Sequence, residues 1–551
     1  EAMKMEHAVT ADVAGTVVRV EAADGDTVAR GFPLVYLEAS ESDAVEAQVE
    51  ECVDLDRVRP DLEHVEQRQR ATSDAARPAA VAKRHALGKR TARENVADLV
   101  DPGTWREYGS LAIANRRSRH TVEELIEQTP ADGLVAGIGE IDGRPAAVLA
   151  YDYTVLAGTQ GGVNHRKTDR LIQVAEAARL PVVVFAEGGG GRPGDDSGET
   201  LAATVTTFHG FARLSGLVPL VGIASGRCFA GNASLFGCCD VTIATADTSV
   251  GMGGPAMIEG GGLGSFRPEE VGPVEVQSVN GVLDVTTADE AEAVAVAKQY
   301  LGYFAGPRST WEAADQRLLR HAVPENRLRV YDVRSVVETL ADTGSVLELR
   351  REFAPGMITA LARVEGRPLG IVANNPVHLA GAIESDGADK AARFLQLCDA
   401  FGPDAERTAL VRHSSRLFVV GANLSVPCCT IVLRKAYGLG AIAMAGGSFH
   451  ATRASVSWPT GEFFGMGIEG AVKLGYRREL EASADPAERQ AAFERMVAQL
   501  YDAGKATSIA NDFGIDDVID PAESRDWIRA TLGTEEVSTP SGKRRPYVDA
   551  W

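Results

Sequence analysis

Glycine runs are the first residues in this chain whose type and spacing could do chemistry. There are 57 glycines among 551 residues, and they cluster most densely in three places. One run is Gly188-Gly189-Gly190-Gly191, shortly after the apolar stretch Val182–Phe185. The others are Gly260 to Gly264, and Gly438-Leu439-Gly440 followed by Gly446-Gly447. A glycine after a strand permits a tight turn and lets backbone N–H groups approach a bound atom closely. Neither GxxxxGK[ST] nor a well-placed GxGxxG occurs, which argues against a nucleotide phosphate loop. No GxSxG elbow presents a serine, and no histidines stand at metal-ligand spacing, so no metal is expected. His209, His413 and His450 read as structural. Cys238-Cys239 and Cys428-Cys429 lie in apolar surroundings and read as core strands. Seven cysteines without a CxxC pair suit a reduced, cytoplasmic protein.

The elements that must position such loops are legible in outline. Val17-Val18-Arg19-Val20 and Leu34-Val35-Tyr36-Leu37 are short strand-like runs. They are separated by turn residues around Gly25 and Gly31, so residues 1–38 form a small β unit. Residues 39–87 are poor in glycine and rich in charge, which predicts a helical linker. From about residue 135, apolar strands alternate with helical stretches, the pattern of an α/β architecture.

An internal repeat organises the remainder. Val218-Pro219 opens a strand that leads into Cys228-Phe229-Ala230-Gly231; Val426-Pro427 opens another that leads into Ala436-Tyr437-Gly438-Leu439, at an offset of 426 − 218 = 208. Ile258-Glu259-Gly260 matches Ile468-Glu469-Gly470 at 210, and Arg170-Leu171-Ile172-Gln173 matches Arg393-Phe394-Leu395-Gln396 at 223. Two similar halves follow. The change from 223 to 208 says that the second half lacks 15 residues that the first contains. The deficit falls at Gly402-Pro403, opposite the strand Val182–Phe185 and its glycine loop. A buried parallel strand is hard to dispense with, so those residues are expected to be missing from the sequence rather than from the fold.

Glu1-Ala2-Met3-Lys4-Met5-Glu6, with Ala14-Gly15-Thr16-Val17, Gly25-Asp26-Thr27-Val28 and Gly31-Phe32-Pro33-Leu34, resembles the C-terminal half of an all-β biotin carboxyl carrier domain. The resemblance implies covalent biotin on Lys4, placed there by a biotin protein ligase. From Gly88 onward the chain resembles the carboxyltransferase of biotin-dependent acyl-CoA carboxylases. The blocks that carry this begin with Gly88-Lys89-Arg90-Thr91-Ala92-Arg93. They continue with Glu270-Val271-Gly272-Pro273, Gly370-Ile371-Val372-Ala373-Asn374-Asn375 and Ala409-Leu410-Val411-Arg412-His413. This implies two crotonase-like halves, residues 88–340 and 341–551. It also implies a homo-oligomer, most simply a hexamer, with active sites shared between subunits.

That resemblance also gives the glycines a task. Moving a carboxyl group from carboxybiotin to the α-carbon of an acyl-CoA develops negative charge on the thioester oxygen and on the ureido oxygen. Preorganised donors are needed for both, each worth roughly 3–4 kcal/mol. In the first half the donors fall at Gly190, Gly191, Ala230 and Gly231, taken as the thioester side. In the second they fall at Leu439 and Gly440. Lys89, Arg90 and Arg93, with His165-Arg166-Lys167, are candidate contacts for the CoA phosphates. Ala441 and Ile442 stand where short-chain members carry an aromatic residue and a carboxylate. The acyl pocket is therefore expected to be larger, as in the single-chain long-chain acyl-CoA carboxylases. ATP, Mg and bicarbonate would act through a biotin carboxylase module outside this sequence, expected upstream in the same polypeptide. A biotin-dependent decarboxylase or transcarboxylase is the alternative enzyme, and a hexameric carrier scaffold the non-enzymatic one.

Charge narrows the partners. Asp+Glu 77 against Lys+Arg 56 gives −21, which argues against nucleic acid or an anionic membrane as the main partner. No apolar run approaches the roughly 20 residues of a membrane helix, and the sequence opens without a basic-then-apolar leader.

Overall fold

The computed structural model describes residues 9–40, 56–192, 195–196, 206–260, 262–399, 420, 424, 426–446, 448–450, 452–464, 468–482, 485–511, 513–532 and 548. Lys4, His413 and the Gly402-Pro403 junction lie outside the described residues. The chain divides into two units, residues 1–64 and 65–551. In the first, β1 (Gly15–Val20) and β2 (Val35–Ala39) pair antiparallel in the register Gly15↔Ala39, with an irregularity between Val17 and Arg19. Gly25 and Gly31 hold φ near +89° and +88° in the connection, a conformation that selects glycine. Two helices, Pro60–Arg70 and Pro78–Ala86, occupy the predicted helical linker. Each opens on a proline, whose missing N–H has no partner to lose there.

The second unit begins with a seven-stranded sheet. Its strands are β3 (Arg106–Glu107), β4 (Leu134–Ile141), β5 (Arg144–Tyr151), β6 (Val182–Phe185), β7 (Leu220–Ala224), β9 (Val241–Thr245) and β11 (Val285–Thr287). Between them in sequence come β8 (Arg227–Phe229) and β10 (Ser249–Gly251), which pair parallel to each other outside the large sheet. The sheet order is β11-β9-β7-β6-β5-β4-β3, parallel from β5 to β11. Buried central strands of this kind read as continuous apolar runs, and β6 is Val-Val-Val-Phe. Alternation then divides each strand between two cores. Val183, Phe185, Val221 and Ile243 pack with the helices Ala92–Leu99 and Glu290–Tyr303. Val182, Val184 and Leu220 pack with the helix Gly162–Ala178.

The second half repeats this plan. β12 (Leu347–Leu349), β13 (Met357–Val364) and β14 (Arg367–Asn374) form an antiparallel sheet. β15 (Cys429–Val432), β17 (Ala454–Ser457) and β19 (Asp517–Val518) run parallel, and β16 (Lys435–Tyr437) pairs with β18 (Glu462–Phe464) as β8 does with β10. The offset is 223 from β4 to β13 (357 − 134) and from the Leu156–Gly158 turn to the Leu379–Gly381 turn, both Leu-Ala-Gly. It is 223 again from the helix Gly162–Ala178 to Ser385–Asp399. It falls to 208 from β8 to β16 and rises to 213 from β10 to β18. The hairpin turns repeat too, with positive φ at Asp142-Gly143 and at Glu365-Gly366.

One sequence match fails this test. Ile258 is the fourth residue of the helix Pro255–Gly260, whereas Ile468 opens the helix Ile468–Gly475. The Ile-Glu-Gly correspondence at 210 is thus a coincidence of residue type, three positions out of structural register. Among the described residues no helix is long and apolar enough to cross a membrane.

Candidate active site

The glycine loop 188–192 leaves the end of β6 and folds against the start of the helix Gly231–Gly237. Most of its N–H groups are occupied. Gly188 donates to the Arg227 carbonyl at 2.7 Å, Gly189 to Ala157 at 3.1 Å and Arg192 to Gln160 at 2.9 Å. Gly190 donates to Asn232 Oδ1 at 3.0 Å. The Gly191 N–H has no partner among the described residues, and a Cβ built on Gly191 would meet no atom within 4 Å. Gly191 itself is exposed.

At the helix start, Ala230 holds φ +50° and ψ −119°, and its N–H donates to the Gly251 carbonyl at 3.0 Å. This conformation is sparsely populated for a non-glycine residue and costs on the order of 1–3 kcal/mol. Gly231 is the first helical residue, so its N–H has no intrahelical acceptor. A Cβ on Gly231 would fall 2.1 Å from Gln160 Oε1 and 3.2 Å from Phe208 Cζ. On Gly190, at φ +84°, it would fall 2.5 Å from Ala230 Cβ and 3.4 Å from the Gly231 nitrogen. The fold thus brings the four expected positions together and sorts them. The N–H groups of Gly190 and Ala230 are committed inside the protein; those of Gly191 and Gly231 have no partner among the described residues.

Two residues that sequence reasoning missed hold the loop. Asn232 accepts from Gly190, as above. Arg192 buries its guanidinium against the Asp132 carboxylate and donates to the Thr159 carbonyl at 2.8 Å. Burial raises the pKa of Asp132, and Arg192 opposes that shift. A buried polar residue directly after a donor glycine was the available signal, but its partners lie far away in sequence.

In the second half, Gly438 follows β16 with φ +63°, as Ala230 follows β8. The counterparts of Ala230-Gly231 are therefore Gly438-Leu439, and Gly440 stands at the position of Asn232 (232 + 208 = 440). The expected pair Leu439-Gly440 is corrected by one residue, because strand register and φ decide equivalence and glycine identity does not. Beside this turn, Tyr437 donates to Glu462 Oε2 at 2.5 Å. Arg327 reaches Glu462 at 3.2 Å and Glu469 at 3.0 Å. Burial, then the neighbouring Glu462, pushes the Tyr437 hydroxyl pKa up. Ala441 packs towards the cluster of Val432, Ala436 and Phe463, so it is a wall of the core. Ile442 is half-buried and belongs to none of the hydrophobic clusters found among the described residues.

Most of the basic candidates have partners within the fold. Lys89 is tied to Ser225 at 2.8 Å and Asp247 at 2.6 Å, with its side chain 10% exposed. Arg93 binds both oxygens of Glu107, at 2.8 and 3.1 Å, and the Thr72 carbonyl. Lys167 is buried and donates to the carbonyls of Ala131 at 2.8 Å and Leu134 at 2.5 Å. His165 bonds Thr207 Oγ1 at 2.9 Å inside the protein. Each of these side chains already has polar partners inside the fold. Arg90, bonded to Asp98 at 2.6 Å, keeps a third of its side chain exposed. Cys238-Cys239 sits at the C-terminal end of the helix Gly231–Gly237 rather than on a strand, and burial pushes both thiols up.

A parallel sheet whose strand-end glycine loop meets a helix start, with two N–H groups that have no partner among the described residues, is the plan of a crotonase-like α/β protein. Sequence comparison agrees and goes further: the carboxyl transferase domain matches residues 83–540, and the chain belongs to that family. A biotin-requiring enzyme domain matches residues 1–37. The methylmalonyl-CoA carboxyltransferase 12S subunit of Propionibacterium freudenreichii subsp. shermanii is 31% identical over 494 residues, 84% of this chain and 92% of the relative. The biotin-dependent long chain acyl-coenzyme A carboxylase beta4 subunit of Mycobacterium tuberculosis is 30% identical over 482 residues, covering 82% and 90%. Among solved structures, a single-chain, multi-domain long-chain acyl-CoA carboxylase is 53% identical with a TM-score of 0.81. It covers 96% of this chain, which spans 53% of the length of that one. The transcarboxylase 12S hexamer with methylmalonyl-coenzyme A bound is 28% identical at a TM-score of 0.75, covering 90% of this chain and 100% of its own.

Proposed function

We propose that this chain is the carboxyltransferase of a biotin-dependent acyl-CoA carboxylase that accepts long acyl chains. The observation that carries the reading is the pair of N–H groups at Gly191 and Gly231, neither of which has a partner among the described residues. Two backbone donors at an open turn suit a planar thioester oxygen that becomes an enolate oxygen. As the α-proton leaves, charge grows on that oxygen and both hydrogen bonds strengthen, which lowers the barrier rather than merely binding substrate. The helix dipole behind Gly231 adds to the field. Biotin tethered to Lys4 would supply the carboxyl group and, once relieved of it, a nitrogen base for the α-proton. Leu439, the counterpart of Gly231, would direct its N–H to the ureido oxygen; the open φ at Gly438 fits that use.

Residues 39–87 form the linker between carrier and transferase, and residues 88–340 and 341–551 the two transferase halves. Ile442, half-buried and outside the hydrophobic clusters of the described residues, would line the acyl site, where an acidic side chain would disfavour an alkyl tail. The 53% identity to a long-chain enzyme supports that choice. ATP, Mg and bicarbonate would act at a biotin carboxylase module, with assembly as a homo-hexamer like that of the 12S relative. A transcarboxylase is the second reading, favoured by the 31% identity to a methylmalonyl-CoA carboxyltransferase. Carboxylation assays with acetyl-, butyryl- and palmitoyl-CoA, run with and without ATP and bicarbonate in the presence of the carboxylase module, test both. ATP-dependent product from palmitoyl-CoA is the expected result. ATP-independent exchange between two acyl-CoAs would favour the second reading, and inactivity throughout would overturn the enzyme assignment.

A further inference from the structure

The carboxamide of Asn232 bridges the two pieces of backbone that carry the free donors. Asn232 is the second residue of the helix that begins with Gly231, and it is wholly buried, 0% exposed. Its Oδ1 accepts from the Gly190 N–H at 3.0 Å, while its Nδ2 donates to the Gly158 carbonyl at 3.4 Å. Those partners fix the amide orientation, since an N–H requires the oxygen and a carbonyl requires the NH2 group. The fit is close: a Cβ on Gly188 would lie 2.3 Å from Asn232 Nδ2.

The next peptide is fixed from its other side. The Gly190 carbonyl accepts the Gln160 N–H at 2.7 Å. In a planar trans peptide the N–H points opposite to the C=O, so the Gly191 N–H is aimed away from Gln160. Asn232 thus holds the peptide before this plane and is joined by one covalent link to Gly231. No other described side chain of the helix Gly231–Gly237 is hydrogen-bonded to the glycine loop. In the second half the equivalent position is Gly440, which has no side chain to do the same.

We infer that Asn232 is a positioning residue that sets the spacing between the Gly191 and Gly231 donors. The inference rests on the proposed function for its catalytic consequence, though not for its structural one. An aspartate here gives a readout that simple loss of packing would not. When protonated it has the shape and polarity of asparagine, accepting from Gly190 and donating to Gly158. When ionised it can no longer donate, and it faces a carbonyl oxygen.

The test uses the full chain with its carboxylase module, comparing Asn232→Ala and Asn232→Asp with the parent protein. For Asn232→Ala, kcat should fall about 100-fold while KM for the acyl-CoA stays within threefold. For Asn232→Asp, the ratio of its kcat to that of the parent should rise at least tenfold as pH is lowered through the titration of the new carboxyl. Amide exchange at Gly190, whose N–H Asn232 accepts, should accelerate in Asn232→Ala whether or not the assay detects turnover. An unchanged kcat, a pH-independent ratio or unaltered exchange would overturn the inference. A parent protein that is inactive on every acyl-CoA would instead overturn the functional reading, and the exchange measurement would still decide the role of Asn232.

Discussion

Replacing Gly231 by alanine sets two effects of known size against each other. In a helix, alanine is favoured over glycine by about 1 kcal/mol. Here the added Cβ would sit 2.1 Å from Gln160 Oε1 and 3.0 Å from its Cδ. Ordinary contact begins near 3.4 Å, so Gln160 must withdraw by more than an ångström. It is buried, donates to the Tyr151 hydroxyl at 3.0 Å, and its backbone N–H fixes the Gly190 carbonyl. Overpacking of this kind costs about 1–3 kcal/mol, so the net loss of stability should be about 0–2 kcal/mol. The catalytic effect should be larger, because the same displacement pushes on the peptide that aims the Gly191 donor. Disturbing one such donor lowers kcat by about 10²–10³-fold. Gly237, at the other end of the same helix, has nothing within 4 Å of a built Cβ and serves as the control. Gly237→Ala should gain up to about 1 kcal/mol and leave kcat unchanged. Denaturation midpoints and steady-state kinetics on both variants decide the matter. If Gly231→Ala retains parental kcat, or loses activity only in proportion to its folded fraction, the donor assignment is refuted.

Ile442→Asp should lower kcat/KM for palmitoyl-CoA by at least tenfold and shift preference towards acetyl-CoA. A parental profile that already declines steadily with chain length would end the long-chain reading. Lys4→Ala should abolish streptavidin detection after expression with a biotin ligase, and persistent signal would place biotin elsewhere. Burial holds the Lys167 ammonium at a pKa of about 8 against 10.5 for the free side chain. Below pH 8 it is protonated in both states, and the penalty on folding is complete. Between 8 and 10.5 the unfolded chain binds a proton that the folded chain does not, so stability rises with pH, by about 3 kcal/mol from this group. Lys167→Met should flatten that rise in denaturant midpoints measured from pH 7.5 to 10.5; identical slopes in parent and variant would contradict it.

The α/β alternation, the doubling of the fold and the glycines on which the site is built are readable from the chain alone. These are legible because they are local. An apolar run such as Val182–Phe185 suits a buried parallel strand wherever it lies, and the positive φ of Gly190 and Gly438 selects glycine at the residue itself. The tertiary structure decided which of those glycines offers a donor. Gly190 and Gly191 are alike in sequence, and they differ because Asn232, 42 residues on, takes one N–H and leaves the other. It also decided register, moving the second-half pair from Leu439-Gly440 to Gly438-Leu439 and the Ile-Glu-Gly match out of equivalence. The fate of the cations was likewise hidden. Lys167 and Lys390, 223 residues apart, look like surface charges, yet each is buried and donates to two backbone carbonyls at or just before the start of its half's main hairpin. A side chain's type fixes what it can donate or accept; which partner it meets is set by chain segments tens of residues away, and only the folded packing brings those together.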